Sequence, residues 1–339
     1  MPLYHSTIFS GDYPGTAFQA SGAAWRFEKA SGVFRGSPEE LHAENERLRL
    51  ERGHAPARHY FDEDHPVFFD MEIMVRASND QRAREGCNLL CAALDIFHGC
   101  VITYVDPAEE IHLRPFGTKH NQRSFFSTTG ITAACRFAAL ASRASLSYAM
   151  HKLAFSYRSA GAHHMDMHPR YSRREFGVQK DPIGHVRIAN AITLAYSAIE
   201  EMQLELRASR ENPSRLKDGS WNPVVREDLE RRLSQAKIDT TDSFVWTLRG
   251  PKTRIERSRQ IPSIGKTKWT YGVVRDRQVS IIDALAYASW LRSTTTTHRF
   301  TSASASLTVY DAFNVQSLAR RLLMERFGFW ERPGRPAPS

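Results

Sequence analysis

The chain has no run approaching the roughly 18 consecutive apolar residues that a membrane span requires. Its opening segment, MPLYHSTIFSGDY, has neither a basic n-region nor an apolar h-region, so a secretory leader is not expected and a cytosolic location is. Cysteine is scarce. Cys87, Cys91, Cys100 and Cys135 fall in one apolar part of the chain without the spacing of a disulfide framework, and the simplest expectation is reduced, buried thiols. There is no G-x-x-x-x-G-K-[ST] phosphate loop, no G-x-S-x-G and no H-E-x-x-H. P-loop nucleotide hydrolysis, esterase chemistry and zincin protease chemistry are thereby disfavoured. No internal repeat is evident.

What is present is an ordinary globular composition, 41% hydrophobic and 24% charged over 339 residues, with an excess of positive charge amounting to +9. Disorder is excluded for most of the chain. The length suggests two domains at about 150 residues each. The charge is uneven: between Trp246 and Arg277 stand nine basic residues against Glu256 and Asp276, a local surplus of +7. Arg249, Lys252, Arg254, Arg257, Arg259, Lys266 and Lys268 alternate with Trp246, Trp269 and Tyr271, giving stacking surfaces beside phosphate partners. Single-stranded nucleic acid calls for that combination. A solvated basic loop is the plainer reading. No amphipathic basic helix occurs in this window, which disfavours a membrane surface as the partner.

Residues 1–60 read as an irregular segment, with one helix start at Ser37-Pro38-Glu39-Glu40. Residues 61–160 read as an α+β domain. VFFDMEIMVR places Val67, Phe69, Met71, Ile73 and Val75 on one face, as in a half-buried strand. Ser78 or Asn79 caps a helix through Phe97, Gly99 ends it, and CVITYVD and EIHLRPF are two further strands. Ala-rich helices follow at 129–142 and 144–158. A linker at 161–184 leads to an all-α region at 185–330. Its helices are HVRIANAITLAYSAIEEMQLELRAS, VVREDLERRLSQAKI, VSIIDALAYASWLR and VYDAFNVQSLARRLLMERF. The tail ERPGRPAPS, 331–339, is expected to be disordered.

Stepping 100° per residue from Ile281, Leu285, Ala288 and Arg292 share a sector, so Arg292 continues a buried stripe. A guanidinium there needs either an internal carboxylate or a cleft that admits phosphate. His298 follows the run Ser293-Thr294-Thr295-Thr296-Thr297, whose β-branched residues are expected to break or distort the helix. Similar Arg/His spacings occur at Arg114/His120, Arg158/His163 and Arg49/His54, but without this helical setting.

The words SIIDALAYASWLRSTTTTH and ANAITLAYSAIEEMQLEL resemble the HEPN superfamily (higher eukaryotes and prokaryotes nucleotide-binding domain) over roughly His185 to Trp330. The resemblance says nothing about the N-terminal half and implies that the α+β N-terminal domain read from the residues is followed by an all-α HEPN-like four-helix bundle. It also implies a metal-independent ribonuclease site, usually composed across a homodimer, and a defence or toxin-type role without cofactor or metal. Arg292 and His298 carry over as catalytic residues, and Glu200 with them, Glu201 being its alternate. Two departures stand out: Ser293 replaces a polar amide after the arginine, and the gap to the histidine is five residues where four is commoner.

Metal-free RNA cleavage needs a base for the 2′-hydroxyl proton and a cation for the phosphorane charge. Histidine and arginine suit those tasks, and the expected product ends in a 2′,3′-cyclic phosphate. The rival expectation is a non-catalytic nucleic-acid-binding regulator that uses Arg249, Lys252, Arg254, Arg257, Arg259, Lys266, Lys268 and Trp269. A weaker one is a metal site at His163, His164, Asp166 and His168, where no helical i, i+4 pairing or finger spacing supports ligation.

Overall fold

The computed structural model describes residues 3–10, 19–21, 26–29, 69–101, 114–115, 125–127, 131–141, 143–161, 182–249, 274–296 and 307–330. The chain forms two compact units, one of Met1–Phe97 with Ile102–Ser142, the other of His98–Val101 with Arg143–Ser339.

The first unit is built on a six-stranded sheet. β1 (Leu3–Ser10) pairs antiparallel with β4 (Phe69–Arg76) along its whole length, from Leu3 opposite Arg76 to Ser10 opposite Phe69. β2 (Gln19–Ser21) and β3 (Arg26–Lys29) continue the sheet beyond β4. On the other side of β1 lie β5 (Arg114–Pro115), antiparallel, and β6 (Phe125–Ser127), parallel. The expectation of an irregular segment over 1–60 is therefore corrected at its start. LYHSTIFS is rich in residues that suit a pleated surface, and the partner that fixes it as a strand lies far along the chain. The helix start at Ser37 and most of the expected strand CVITYVD fall outside the described residues.

Helix α1 (Asp80–His98) begins where Asn79 Oδ1 accepts the Arg82 amide at 2.9 Å and ends at Gly99, whose φ of 67° is left-handed. It is buried almost continuously from Cys87 to Ile96. Phe97 meets Phe137 of α2 (Ile131–Leu140) edge to face at 5.5 Å. All four cysteines are buried and unbridged. Burial pushes the Cys87 thiol up to about 12 and Cys135 well above its ordinary value.

The second unit is mostly helical. α3 (Ala144–Ala160) belongs to it, so the division between units falls near residue 143 instead of within 161–184. The reason is polar as well as apolar. Ser156 Oγ of α3 donates to the Ala191 carbonyl of α4 (Pro182–Glu201) at 2.7 Å, and Gln316 Nε2 of α7 (Val309–Arg326) donates to Ser156 O and Oγ at 3.0 and 2.9 Å. Ser156 and Gln316 are buried, and this node ties three helices together.

α4 stops at Glu201, earlier than the expected end at Ser209, and Gln203 takes a left-handed φ of 60°. The carbonyls freed there are covered by arginines. Arg326 donates to Met202 O at 2.8 Å, and buried Arg232 donates to Gln203 O and Glu205 O at 2.7 and 2.9 Å. Arg232 lies on α5 (Pro223–Gln235), which starts with Asn222 as cap and Pro223 in its first turn.

The unit also contains a two-stranded sheet that departs from an all-α reading. β7 (Ser243–Arg249) and β8 (Val274–Ser280) pair antiparallel from Ser243/Ser280 to Arg249/Val274. Phe244, Trp246 and Leu248 alternate into the core. Trp246, expected among the stacking surfaces, is 1% exposed and meets Tyr287 edge-on at 5.3 Å. Buried Asn314 of α7 clamps β7 with both ends of its amide, accepting from Thr247 N at 2.9 Å and donating to Thr247 O at 2.7 Å. No helix among the described residues is long and apolar enough to cross a membrane.

Candidate functional site

The helix carrying Arg292, α6 (Ile281–Leu291), is anchored at its start. Ser280 caps it by accepting the Asp283 amide at 3.0 Å and donating to Asp283 Oδ2 at 2.8 Å. The other Asp283 oxygen receives Trp221 Nε1 at 3.0 Å and the guanidinium of Arg215, which stacks over the Trp221 ring at 4.2 Å. Tyr287 against Trp246 holds the middle of the helix.

At its far end α6 does not fray. It passes into a π-helical turn, Arg292–Thr296, in the place where the sequence predicts distortion. Hydroxyls supply the local bonds: Ser293 Oγ donates to Ser289 O at 2.8 Å, and Thr296 Oγ1 donates to Arg292 O at 2.7 Å. Such turns widen the helix and change the direction in which the following side chains leave it. The expectation of a buried Arg292 is corrected: its backbone is still α-helical and its amide reaches back to Ala288 and Ser289, but its side chain is 39% exposed at the end of the stripe.

Arg292 meets Glu200 of α4, Nη2 to Oε1, at 3.4 Å, and Glu200 is itself 35% exposed. The neighbouring Glu201 points elsewhere. Its carboxylate accepts from Lys152 of α3 at 2.6 Å, and the same ammonium donates to Ser197 at 2.9 Å. The helical step separates the two glutamates by about 100°, which is why one faces α6 and the other α3.

Two further rungs join α4 to this end of α6. The Thr193 and Thr296 hydroxyls lie 3.0 Å apart. The Tyr196 hydroxyl bonds with Ser289 and accepts the Leu206 amide at 3.2 Å. Burial raises the Tyr196 phenol above its ordinary value, outweighing the lowering effect of those bonds, so it stays neutral. Thr193, Tyr196, Ser289 and Thr296 were not among the residues singled out by sequence. The available signal was the polar set Thr193, Tyr196 and Glu200 at i, i+3, i+7 on one face of an otherwise apolar helix.

Of the other expected site residues, His298 lies outside the described residues, two positions beyond Thr296. Arg249 is the last residue of β7, and Lys252, Arg254, Arg257, Arg259, Lys266, Lys268 and Trp269 fall in the undescribed stretch between the paired strands. His163, His164, Asp166 and His168 also fall outside. Among the described residues, no group of three or more His, Cys, Asp or Glu is placed to hold a metal ion.

Comparison with known protein families, curated proteins and solved structures gives no match to this chain.

Proposed function

We propose that this chain is a metal-independent endoribonuclease of HEPN type, acting as a defence or toxin-type effector. The observation that carries the reading is the meeting of Arg292 with Glu200 at the mouth of a π turn, where both side chains remain partly open to solvent. An ion pair this exposed and this long is worth at most about 1 kcal/mol and engages Nη2 alone, so a phosphodiester can bind the remaining guanidinium N–H groups beside Glu200 at little cost to the fold.

In this reading Arg292 binds the scissile phosphate and stabilises charge on the phosphorane. His298 takes the 2′-hydroxyl proton and returns a proton to the leaving 5′-oxygen, leaving a 2′,3′-cyclic phosphate. Glu200 orients the guanidinium toward the phosphate. The substrate is single-stranded RNA, and the working form is a homodimer. Arg292→Ala and His298→Ala each abolish RNA degradation and relieve growth arrest on expression, while folding and RNA binding persist. Intact RNA and unaffected growth with the wild-type chain would count decisively against a nuclease.

A second reading is favoured by the β7/β8 pairing. The sequence between Arg249 and Val274 contains Lys252, Arg254, Arg257, Arg259, Lys266 and Lys268 against Glu256 alone, and the paired strands bring its two ends together. A non-catalytic nucleic-acid-binding regulator would use that segment for phosphate contacts, with Trp269 stacking on bases. It predicts salt-dependent RNA binding that is lost on neutralising those lysines and arginines and is indifferent to Arg292→Ala.

A further inference from the structure

We infer that Thr193 is a positioning residue for Arg292, acting through the hydroxyl of Thr296. The inference rests on the reading of Arg292 as the phosphate-binding group.

Glu200 holds only the guanidinium end of Arg292. The Arg292 amide is held by the Ala288 and Ser289 carbonyls, and its own carbonyl is held by a chain of oxygens. Thr193 Oγ1 lies 3.0 Å from Ala189 O and 3.0 Å from Thr296 Oγ1, and Thr296 Oγ1 lies 2.7 Å from Arg292 O. Three links share two hydroxyl protons, because each threonine has one to give. The shortest link takes the Thr296 proton onto the Arg292 carbonyl. The Thr193 proton then has two acceptors, and they are unequal. Ala189 O is an interior carbonyl of α4 that already accepts a helical amide, whereas Thr296 Oγ1 has just committed its own proton outward. The favoured arrangement is directed, from Thr193 to Thr296 to Arg292 O. A hydroxyl that both accepts and donates is a stronger donor than an isolated one, so Thr193 strengthens the bond on Arg292.

The consequence is geometric. Thr193 and Glu200 lie on one face of α4, about 10 Å apart along the axis. They hold the π turn at two points, its last residue and the side chain of its first. With the Thr193 link removed, the bond on the Arg292 carbonyl weakens and the end of the turn loses its hydroxyl tie to α4, so Arg292 gains freedom. A displacement on the order of 1 Å in a group that must meet a phosphorane costs up to about a hundredfold in rate.

The test compares Thr193→Val, which keeps the shape and removes the hydroxyl, with Thr193→Ser, which keeps the hydroxyl. The assay is cleavage of a fluorogenic single-stranded RNA by the full chain. Thr193→Val lowers kcat about ten- to a hundredfold with KM within about twofold, and Thr193→Ser recovers most of that loss. Thr296→Val acts in the same direction, and the double variant is no slower than the worse single one, because both remove one chain of bonds. An unchanged kcat in Thr193→Val overturns the inference, as does a Thr193→Ser variant as slow as the valine.

Hydrogen exchange supplies a measure that needs no activity. Amides 292–296 exchange at least about tenfold faster in Thr193→Val than in wild type, and unchanged protection overturns the role whatever the RNA assay shows. If Arg292→Ala cleaves RNA as well as wild type, the reading of Arg292 as the phosphate-binding group fails on its own, and exchange still decides whether Thr193 holds the turn.

Discussion

Glu200 and Glu201 are adjacent in α4 yet serve different cations, Glu200 contacting Arg292 at 3.4 Å and Glu201 contacting Lys152 at 2.6 Å. One pair bridges α4 to the end of α6 and the other bridges α4 to α3. The two carboxylates are therefore separable by mutation. Glu200→Gln is expected to lower RNA cleavage by about tenfold or more by loosening the guanidinium, and Glu201→Gln to leave it within about twofold. Both changes alter unfolding free energy by less than about 1 kcal/mol, since both pairs are partly solvated. Parallel cleavage and denaturation measurements on the two variants check this. Equal cleavage by both would remove Glu200 from the site.

The Asn314 clamp on Thr247 is a structural counterpart with the opposite profile. Asn314 is fully buried and makes two bonds to the β7 backbone. Asn314→Leu leaves a buried N–H and a buried carbonyl without partners, which costs about 2–5 kcal/mol. Urea unfolding monitored by Trp fluorescence reads the loss directly, because Trp246 is the adjacent core residue. A midpoint equal to wild type would mean that the clamp contributes nothing.

Much of the helical framework is legible in sequence, and the failures have physical causes. α7 reads correctly because its apolar positions repeat at helical spacing and Thr308 with Asp311 forms a capping box. β7 has a period-2 pattern in Phe244, Trp246 and Leu248, but it is short and runs straight into a basic stretch without pattern. β8, VRDRQVS, has little pattern of its own, and its strand state comes from pairing with β7. β1 is the same case over a longer separation. At the site, Arg292 and Glu200 were legible as residue types through their helices and a family resemblance. Their contact is not, since it depends on how α4 packs on α6, which no local pattern records.

Cys87 and Cys135 should behave as inert thiols in the folded chain. Both are buried, and burial raises both above the ordinary thiol range, so almost no thiolate is present at neutral pH. A disulfide reagent at pH 8 titrates them only at the rate of unfolding, and adding denaturant exposes both at once. Rapid labelling of either in the native state would show that the first unit opens locally.

The N-terminal cap of α7 gives a pH signature. Asp311 accepts the Thr308 amide at 2.7 Å and the Thr308 hydroxyl at 3.0 Å, which favour its charged form, but burial dominates and raises its pKa to about 6. The ordinary value is 3.8, so between about pH 4 and 6 the folded chain holds a proton that the unfolded chain has released. This contribution to stability is complete below the unfolded value and is lost as pH rises through the folded one. A separation of this size corresponds to roughly 3 kcal/mol. His151 works in the opposite sense: burial lowers its pKa, so its contribution is present above 6.5 and falls as pH drops. Comparison of wild type with Asp311→Asn cancels the histidine and isolates the carboxyl. Asparagine retains an acceptor for the Thr308 amide and does not titrate. The unfolding free energy of the variant, relative to wild type, should rise by up to about 3 kcal/mol from pH 4 to pH 7, with nearly all of the change between pH 4 and 6.5. Chemical denaturation at half-unit pH intervals measures the difference, and curves that stay parallel across that window would show that the Thr308 bonds outweigh burial and keep Asp311 ionised.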